Sequence, residues 1–259
     1  MIQLPVIEGL LDRRILLNYR FDPDALAALI PPPFEPRIHA GHAIGGICMI
    51  RFRDLRPRRF PAAIGVDSEN AAHRIAVRWR AEDETREGVF IPRRDTASAF
   101  NHWAGGRIFP GVFQRSAFAV TEDAGRYRVE ISEPGERPHV VFEGHDAAAL
   151  PGSSVFTSLD EASTFFAKGS VGYSAAADGS HFQGMELRLL EWHIRPLEID
   201  RAYVQLYEDG KTVPKGCAHI DSAMVMQRLR HEWHKIPALS AAPRGAKEAA
   251  GAGRRRAPR

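Results

Sequence analysis

The sequence predicts a soluble, mainly β domain of the α+β class, with its strands arranged as a barrel or as stacked sheets. Nine segments have strand-like composition, whereas only two helices have recognisable ends. Hydrophobic residues make up 44% of the chain and charged residues 26%, which is typical of a globular protein with a sizeable core. The strand-like segments are 15–19, 43–52, 73–80, 89–91, 113–120, 127–132, 139–143, 185–194 and 203–207.

Alternation along two of these segments indicates the kind of sheet. In 73–80 the odd-numbered residues from His73 to Trp79 are mostly apolar, whereas the even-numbered residues are alanine and arginine. This pattern predicts one dry face and one wet face. In 185–194 bulky apolar residues occur on both faces, which favours a strand that is partly covered on each side.

Two helices are predicted from their end signals. Asp22 is a good N-cap, Pro23 fits the first helical position, and the prolines from Pro31 onward stop the run. The second helix begins after Ser158, with Glu161 at capping-box spacing, and should cover or plug the sheet with its apolar stripe. The segment 220–234 is ambiguous: 222–226 could finish a strand, while 226–234 could be helical.

The chain divides into one domain, residues 1–237, and a basic tail, residues 238–259. The tail carries six basic residues and one acid, a charge of +5, so the domain carries −2 of the total +3. With almost nothing to bury, the tail should be disordered. A basic arm binds phosphates only nonspecifically. We therefore expect no specific nucleic-acid partner, and a nucleic-acid function would depend on the tail alone.

The composition also indicates the expected location of the protein and its expected cofactors. The longest uncharged runs fall well below the roughly 20 residues that a bilayer requires, and the first eleven residues lack a secretory pattern, so no membrane association is expected. With only two cysteines, Cys48 and Cys217, we expect free thiols and a cytoplasmic protein. No motif requires a metal or another cofactor, because the histidines of 231–234 lack zinc-motif spacing. A homo-oligomer remains open.

Several ordered segments resemble the acetoacetate decarboxylase-like superfamily. Residues 13–26 and 30–35 resemble its opening. More closely, 68–77, 91–96 and 105–111 resemble the YqjF-like family of this superfamily, whose members have no assigned function. Segments 169–174 and 231–233 extend the similarity, which runs from about Leu4 to Lys235.

The resemblance implies a closed, mostly antiparallel β-barrel with a few flanking helices and an internal cavity. In the decarboxylases that cavity holds a keto acid, which forms a Schiff base with the first of two adjacent lysines. Arg93 and Arg94 stand in place of that pair here. A guanidinium stays protonated and cannot form an imine, so Schiff-base decarboxylation is not expected. If one of the five lysines formed the Schiff base instead, Lys215 would be the best candidate.

The resemblance and the residues together suggest a ligand site. A cavity lined by several arginines requires anions, because isolated buried charges are prohibitively costly. Glu69 and Asp95 could supply them as an internal salt-bridge cluster, or a ligand could supply a carboxylate or phosphate held bidentately. The candidate ligand-binding residues are Arg14, Arg93, Arg94, Arg107, Asn70 and His73.

Two functions follow from these candidates. The first is binding of a small organic anion, a keto acid or another carboxylate, without covalent chemistry. The alternative is a lyase or hydrolase in which Glu69 acts as acid/base and the arginines stabilise charge. Asn70 and His73 could orient the ligand or transfer a proton, although the residues favour a core histidine hydrogen-bonded to backbone over a catalytic role for His73.

Overall fold

The computed structural model describes residues 5–81, 83–106 and 109–241. Within these ranges the chain forms fourteen strands: β1 (Ile7–Phe21), β2 (Glu35–Pro36), β3 (Ile38–His39), β4 (His42–Pro57), β5 (Val66–Ala81), β6 (Glu84–Thr96), β7 (Phe113–Arg115), β8 (Ala117–Asp123), β9 (Arg126–Ser132), β10 (Val140–Asp146), β11 (Val171–Ala175), β12 (His181–Leu189), β13 (Arg195–Val204) and β14 (Ala218–Ser240). The same ranges contain four α-helices, α1 (Pro23–Ala27), α2 (Ala99–Ala104), α3 (Leu159–Ala167) and α4 (Gln205–Glu208), and 3₁₀ turns at Ala62–Ile64 and Lys168–Ser170.

Seven strands close into a barrel. Their order is β1, β4, β5, β6, β11, β12 and β14, and β14 pairs back onto β1 to complete the ring. Every pairing in the ring is antiparallel except β6 with β11, which is parallel. Parallel neighbours need a long crossover connection, and here the chain between β6 and β11 supplies it. The predicted closed barrel is confirmed, as a mixed rather than purely antiparallel sheet.

A second sheet covers one side of the barrel wall. It consists of β13, β10, β9 and β8, and it joins the ring through the pairing of β13 with β14. The main hydrophobic cluster lies between the two layers and includes Ile15 and Met49 from the barrel with Val129 and Phe142 from the second sheet. We call this side of the barrel strands the outer face.

The opposite side, the inner face, encloses a second hydrophobic cluster. It includes Leu16, Cys48 and Met224 from the barrel strands and Phe165 and Phe166 from α3. Helix α3 therefore plugs the sheet, as its sequence predicts. The Ser158 side chain accepts a hydrogen bond from the Glu161 amide (3.1 Å), which confirms the predicted N-cap. Because neighbouring residues alternate between faces, the strands β1, β4, β5 and β14 each contribute to both clusters.

Most predicted strands are longer in the structure, and four segments differ from the sequence prediction in element type or are divided or cut short. The segment 226–234 is strand, not helix, because the long β14 pairs with both β1 and β12. Strand β12 ends at Leu189, before the predicted limit of Ile194, and β13 gives way to α4 at Gln205, inside the predicted strand 203–207. The predicted strand 113–120 is divided at Ser116 into β7 and β8. In each case tertiary pairing outweighs local composition.

The predicted domain boundary at Pro237 lies within β14, which continues to Ser240 and pairs there with β12. Most of the predicted tail, residues 242–259, lies outside the described residues. Across the described part of the chain, no helix has both the length and the apolar character needed to cross a membrane.

Candidate functional site

A bulge in β6 determines where the two adjacent arginines point. The β5 segment His73–Ile75 faces the longer β6 segment Phe90–Arg93, so β6 carries one extra residue. Pro92 lies in this bulge, a position that tolerates proline because no ladder hydrogen bond is needed from its nitrogen. Beyond the bulge Arg93 faces outward and Arg94 faces inward. The expectation that both arginines line one cavity is therefore wrong.

Arg93 is paired with carboxylates on the outer face. Its Nη2 lies 2.9 Å from Asp95 Oδ1 and 3.5 Å from Glu133 Oε1, and its Nε also donates to Asp95. Burial alone would raise the pKa of Asp95, but hydrogen bonds from His139 and Arg93 outweigh it and hold that pKa well below its usual range. The internal ion-pair alternative therefore applies to Arg93.

His73 also lies on the outer face and is 1% exposed. Its Nδ1 is 3.3 Å from the Tyr207 hydroxyl, which donates its own hydrogen to the Gly46 carbonyl at 2.7 Å. Burial lowers the pKa of His73 to about 3, although Asp95 opposes the shift. The residue is therefore a neutral core histidine, and it borders a separate pocket together with Arg93.

Glu69 belongs to an ion-pair network on the outer face. It accepts from Arg13 Nη2 and from Arg51 Nε, each at 2.6 Å, and Glu122 bridges the same two arginines at 2.6 and 3.0 Å. Arg13 is 1% exposed, so the two carboxylates neutralise a fully buried cation, although its Nε has no hydrogen-bond partner among the described residues. Glu69 points away from the barrel interior, and the expectation that it acts on a ligand there is wrong.

The inner face encloses a cavity of about 90 Å³, which we call the inner cavity. One water molecule needs roughly 10–15 Å³ on this measure, so the space suits a small molecule. All seven barrel strands contribute to its wall, and apolar side chains such as Ile91, Met185 and Trp233 form most of it. The polar lining residues are Arg14, Cys48, Asn70, Arg74, Arg94, Asn101 and Ser170.

Three arginines reach the inner cavity, and none of them pairs with a carboxylate of the described residues. Arg94 Nε donates to Ser174 Oγ at 3.2 Å, and its guanidinium lies 5.4 Å from the centre of the Phe113 ring. Burial lowers the pKa of Arg94 to about 10, which the attraction of Cys48 only partly opposes. The Nε of Arg14 is buried and finds no hydrogen-bond partner in residues 5–81, 83–106 and 109–241.

Arg74 and Arg14 meet at the thiol of Cys48. Arg74 Nε lies 3.0 Å and Arg14 Nη2 3.6 Å from Sγ, and Arg74 also donates to Asn18 Oδ1. Burial alone raises the pKa of Cys48, but the charges and hydrogen bonds of the two arginines together lower it below its usual value. Even with an ionised thiol, three guanidiniums face one negative charge.

The inner cavity brings together only some of the predicted site residues. Arg14, Arg94 and Asn70 line it, whereas Arg93, His73 and Glu69 lie on the outer face. Arg107 lies outside the described residues. Sequence reasoning missed Arg74, since the even-numbered face of 73–80 was predicted to be wet. Arg74 is in fact 4% exposed, and the run of small residues 70–72 beside it is the signal that this face is also covered.

The described residues place no lysine, acid or histidine on the wall of the inner cavity. Lys168 pairs with Glu87 at 3.2 Å, and Lys211, Lys215 and Lys235 are exposed. Lys247 lies outside the described residues. Within the described ranges, no three His, Cys, Asp or Glu side chains are grouped so that they could hold a metal ion.

The sequence matches the DUF2071 family, an uncharacterized conserved protein, over residues 11–225. The chain therefore belongs to this family. A comparison with curated proteins gave no match.

Solved structures share the fold at low identity. Acetoacetate decarboxylase from Legionella pneumophila is 12% identical with a TM-score of 0.61, over 92% of this chain and 88% of that one. An acetoacetate decarboxylase-like enzyme from Sphingomonas wittichii RW1 is 12% identical with a TM-score of 0.60, over 92% and 94%. The enduracididine biosynthesis enzyme MppR, complexed with pyruvate, is 11% identical with a TM-score of 0.61, over 93% and 92%. The predicted resemblance to acetoacetate decarboxylase-like proteins is confirmed for the fold.

Proposed function

We propose that this protein binds a small organic anion, a keto acid or another carboxylate, in the inner cavity and does so without a Schiff base. The observation that carries the proposal is the contrast between two sets of arginines. Arg13 and Arg93 on the outer face each contact two carboxylates. Arg14, Arg74 and Arg94 on the inner face contact none among the described residues.

The buried guanidiniums of the two faces are compensated differently. A buried charge is tolerated when an opposite charge or several hydrogen bonds compensate it. The outer arginines are compensated by the protein itself, whereas the inner three share only neutral acceptors and one thiol. A carboxylate is the natural complement, because its two oxygens match the fork of a guanidinium. The inner cavity therefore retains capacity for an added negative charge.

Size and wall chemistry narrow the anion. A volume of about 90 Å³ with a mostly apolar wall suits a carboxylic acid with a short carbon chain. One solved neighbour of the same fold was obtained with pyruvate, a molecule of this class. With no lysine on the described wall, binding here would rest on charge and hydrogen bonds alone.

The test is a thermal-shift screen of the full chain with small carboxylates and their methyl esters, which keep the shape but lose the charge. We expect acetoacetate, pyruvate or a close analogue to raise the melting temperature, and the ester not to do so. Arg94→Gln should weaken binding about tenfold or more, because it removes charge-assisted hydrogen bonds.

Arg93→Gln is the matched control for this screen, since the adjacent arginine faces away from the inner cavity. It should lower the starting stability but keep the ligand-induced shift. Equal shifts from acid and ester, or undiminished binding in Arg94→Gln, would argue against the proposed function.

A further inference from the structure

A network of neutral polar side chains forms one part of the inner cavity wall. Asn70 on β5 and Asn101 on α2 both line the cavity, and they are 5% and 3% exposed. Ser68 and Thr96 connect them from behind. Asn101 Nδ2 donates to Ser68 Oγ and to Asn70 Oδ1, each at 3.2 Å. Its Oδ1 is buried and has no hydrogen-bond partner within the described part of the chain.

The orientation of both amides is fixed by the network. Asn70 Nδ2 lies 3.1 Å from the backbone carbonyl oxygen of Ser68, which can only accept. Asn70 must therefore direct its Oδ1 the other way, where the Thr96 hydroxyl donates to it at 2.8 Å. If Asn101 were reversed, two carbonyl oxygens would meet at 3.2 Å. Because that contact is repulsive, the unpartnered group of Asn101 is its oxygen rather than its nitrogen.

A buried acceptor without a donor destabilises the folded protein, because it has lost its hydrogen bonds to water. Asn101 borders the same space as the three unpaired guanidiniums. One wall of the inner cavity thus lacks an anion, and another lacks a hydrogen-bond donor. A single small molecule that carries both groups would satisfy the two walls at once.

We infer that Asn101 Oδ1 accepts a hydrogen bond from the bound anion, and that the ligand class is a small hydroxycarboxylate. The donor must be uncharged, because an ammonium group would be repelled by Arg14, Arg74 and Arg94 across a small apolar space. A plain keto acid offers only acceptors and would leave Asn101 unsatisfied. This inference rests on the proposed function, since it requires an anion in the inner cavity.

The test compares three probes of one carbon skeleton, 3-hydroxybutyrate, acetoacetate and butyrate, by isothermal titration calorimetry with the full chain. Lactate, pyruvate and propionate repeat the comparison with a hydroxyl group that is one carbon closer to the carboxylate. We expect the hydroxy acid of at least one set to bind about tenfold more tightly than its deoxy analogue. Asn101→Ala should reduce the affinity for the hydroxy acid to that for the deoxy acid. The affinity for the deoxy acid should not change.

Ser116→Ala is the control variant, because Ser116 is a buried hydroxyl that donates to Asp95 on the outer face and belongs to neither the cavity wall nor the network around Asn101. The hydroxyl preference should persist in it. If wild type binds all three probes of both sets equally and Arg94→Gln weakens them all, the inference falls while the proposed function stands. If no probe binds wild type, both fall. If Asn101→Ala fails to fold, the affinities of wild type for the three probes still show whether the cavity prefers a hydroxy acid.

Discussion

Arg93 and Arg94 are adjacent in sequence, yet they lie on opposite faces of β6: Arg93 contacts the carboxylate of Asp95 at 2.9 Å, whereas Arg94 donates a hydrogen bond to the neutral hydroxyl of Ser174 at 3.2 Å. The same division occurs on β1, where Arg13 is paired with two glutamates and Arg14 reaches the inner cavity. Strand alternation thus separates each pair into one structural cation and one available cation.

The pair on β1 gives a direct prediction for stability. Arg13→Gln should lower the free energy of unfolding by about 2–3 kcal/mol, because it leaves two partly buried glutamates with Arg51 alone. Arg14→Gln should change it by less than about 1 kcal/mol, since it breaks no pairing with a carboxylate. Urea denaturation at pH 7 measures both. A larger loss in Arg14→Gln than in Arg13→Gln would contradict the division.

The lack of a lysine on the cavity wall predicts the outcome of borohydride trapping. Wild type incubated with acetoacetate or pyruvate should give no covalent adduct in intact-mass measurements, and an adduct on any native lysine would refute the noncovalent account. Arg94→Lys should form an adduct, because burial and the neighbouring arginines would lower the pKa of the new amine. Arg93→Lys is the control and should not, since Asp95 would hold its amine protonated on the outer face.

The free energy of unfolding should decrease as the pH is lowered, and part of this decrease should come from His73. Its folded pKa is about 3 and its ordinary value is 6.5, so between these pH values the unfolded chain binds a proton that the folded protein does not. The free energy of unfolding should therefore fall as pH falls below 6.5, by up to about 1.4 kcal/mol per pH unit. Above that pH the histidine contributes no slope.

Urea denaturation between pH 7 and pH 5 checks this. His73→Gln should flatten the profile by up to about that slope. Its neighbours Asp95, Arg93 and His139 remain, and the second buried histidine, His231, whose pKa burial lowers to about 4, still contributes. His193→Gln is the control, because that side chain is 77% exposed and should leave the slope unchanged. An identical slope in wild type and His73→Gln would show that His73 is protonated in the folded state.

Much of the fold is readable from residue pattern. The barrel follows from strand-rich composition and the family resemblance, and α3 follows from the Ser158 cap and its apolar stripe. The side of the barrel that each side chain faces is harder to predict. It depends on the bulge at Pro92 and on the second sheet that covers the outer face. Pro92 was the local sign of that bulge. Arg74 illustrates the same limit, since local alternation cannot tell which faces a distant segment will cover.

The polar network around Asn101 could not have been predicted. It joins Ser68 and Asn70 on β5, Thr96 at the end of β6, and a residue of α2. The register of the β5–β6 pairing, which depends on the bulge, places Asn70 opposite Thr96, and α2 follows β6 and brings Asn101 to the same wall. The sequence did indicate Asn70, through its place in the segment that carries the family resemblance.

The central claim is that the inner arginines bind an anion that the protein itself does not supply. A crystal structure of the full chain with 3-hydroxybutyrate or acetoacetate tests it most directly. We predict a carboxylate in the inner cavity with an oxygen about 2.7–2.9 Å from a guanidinium nitrogen of Arg14, Arg74 or Arg94. A carboxylate bound instead in the outer pocket beside Arg93 and His139, with the inner cavity occupied only by water, would contradict the account.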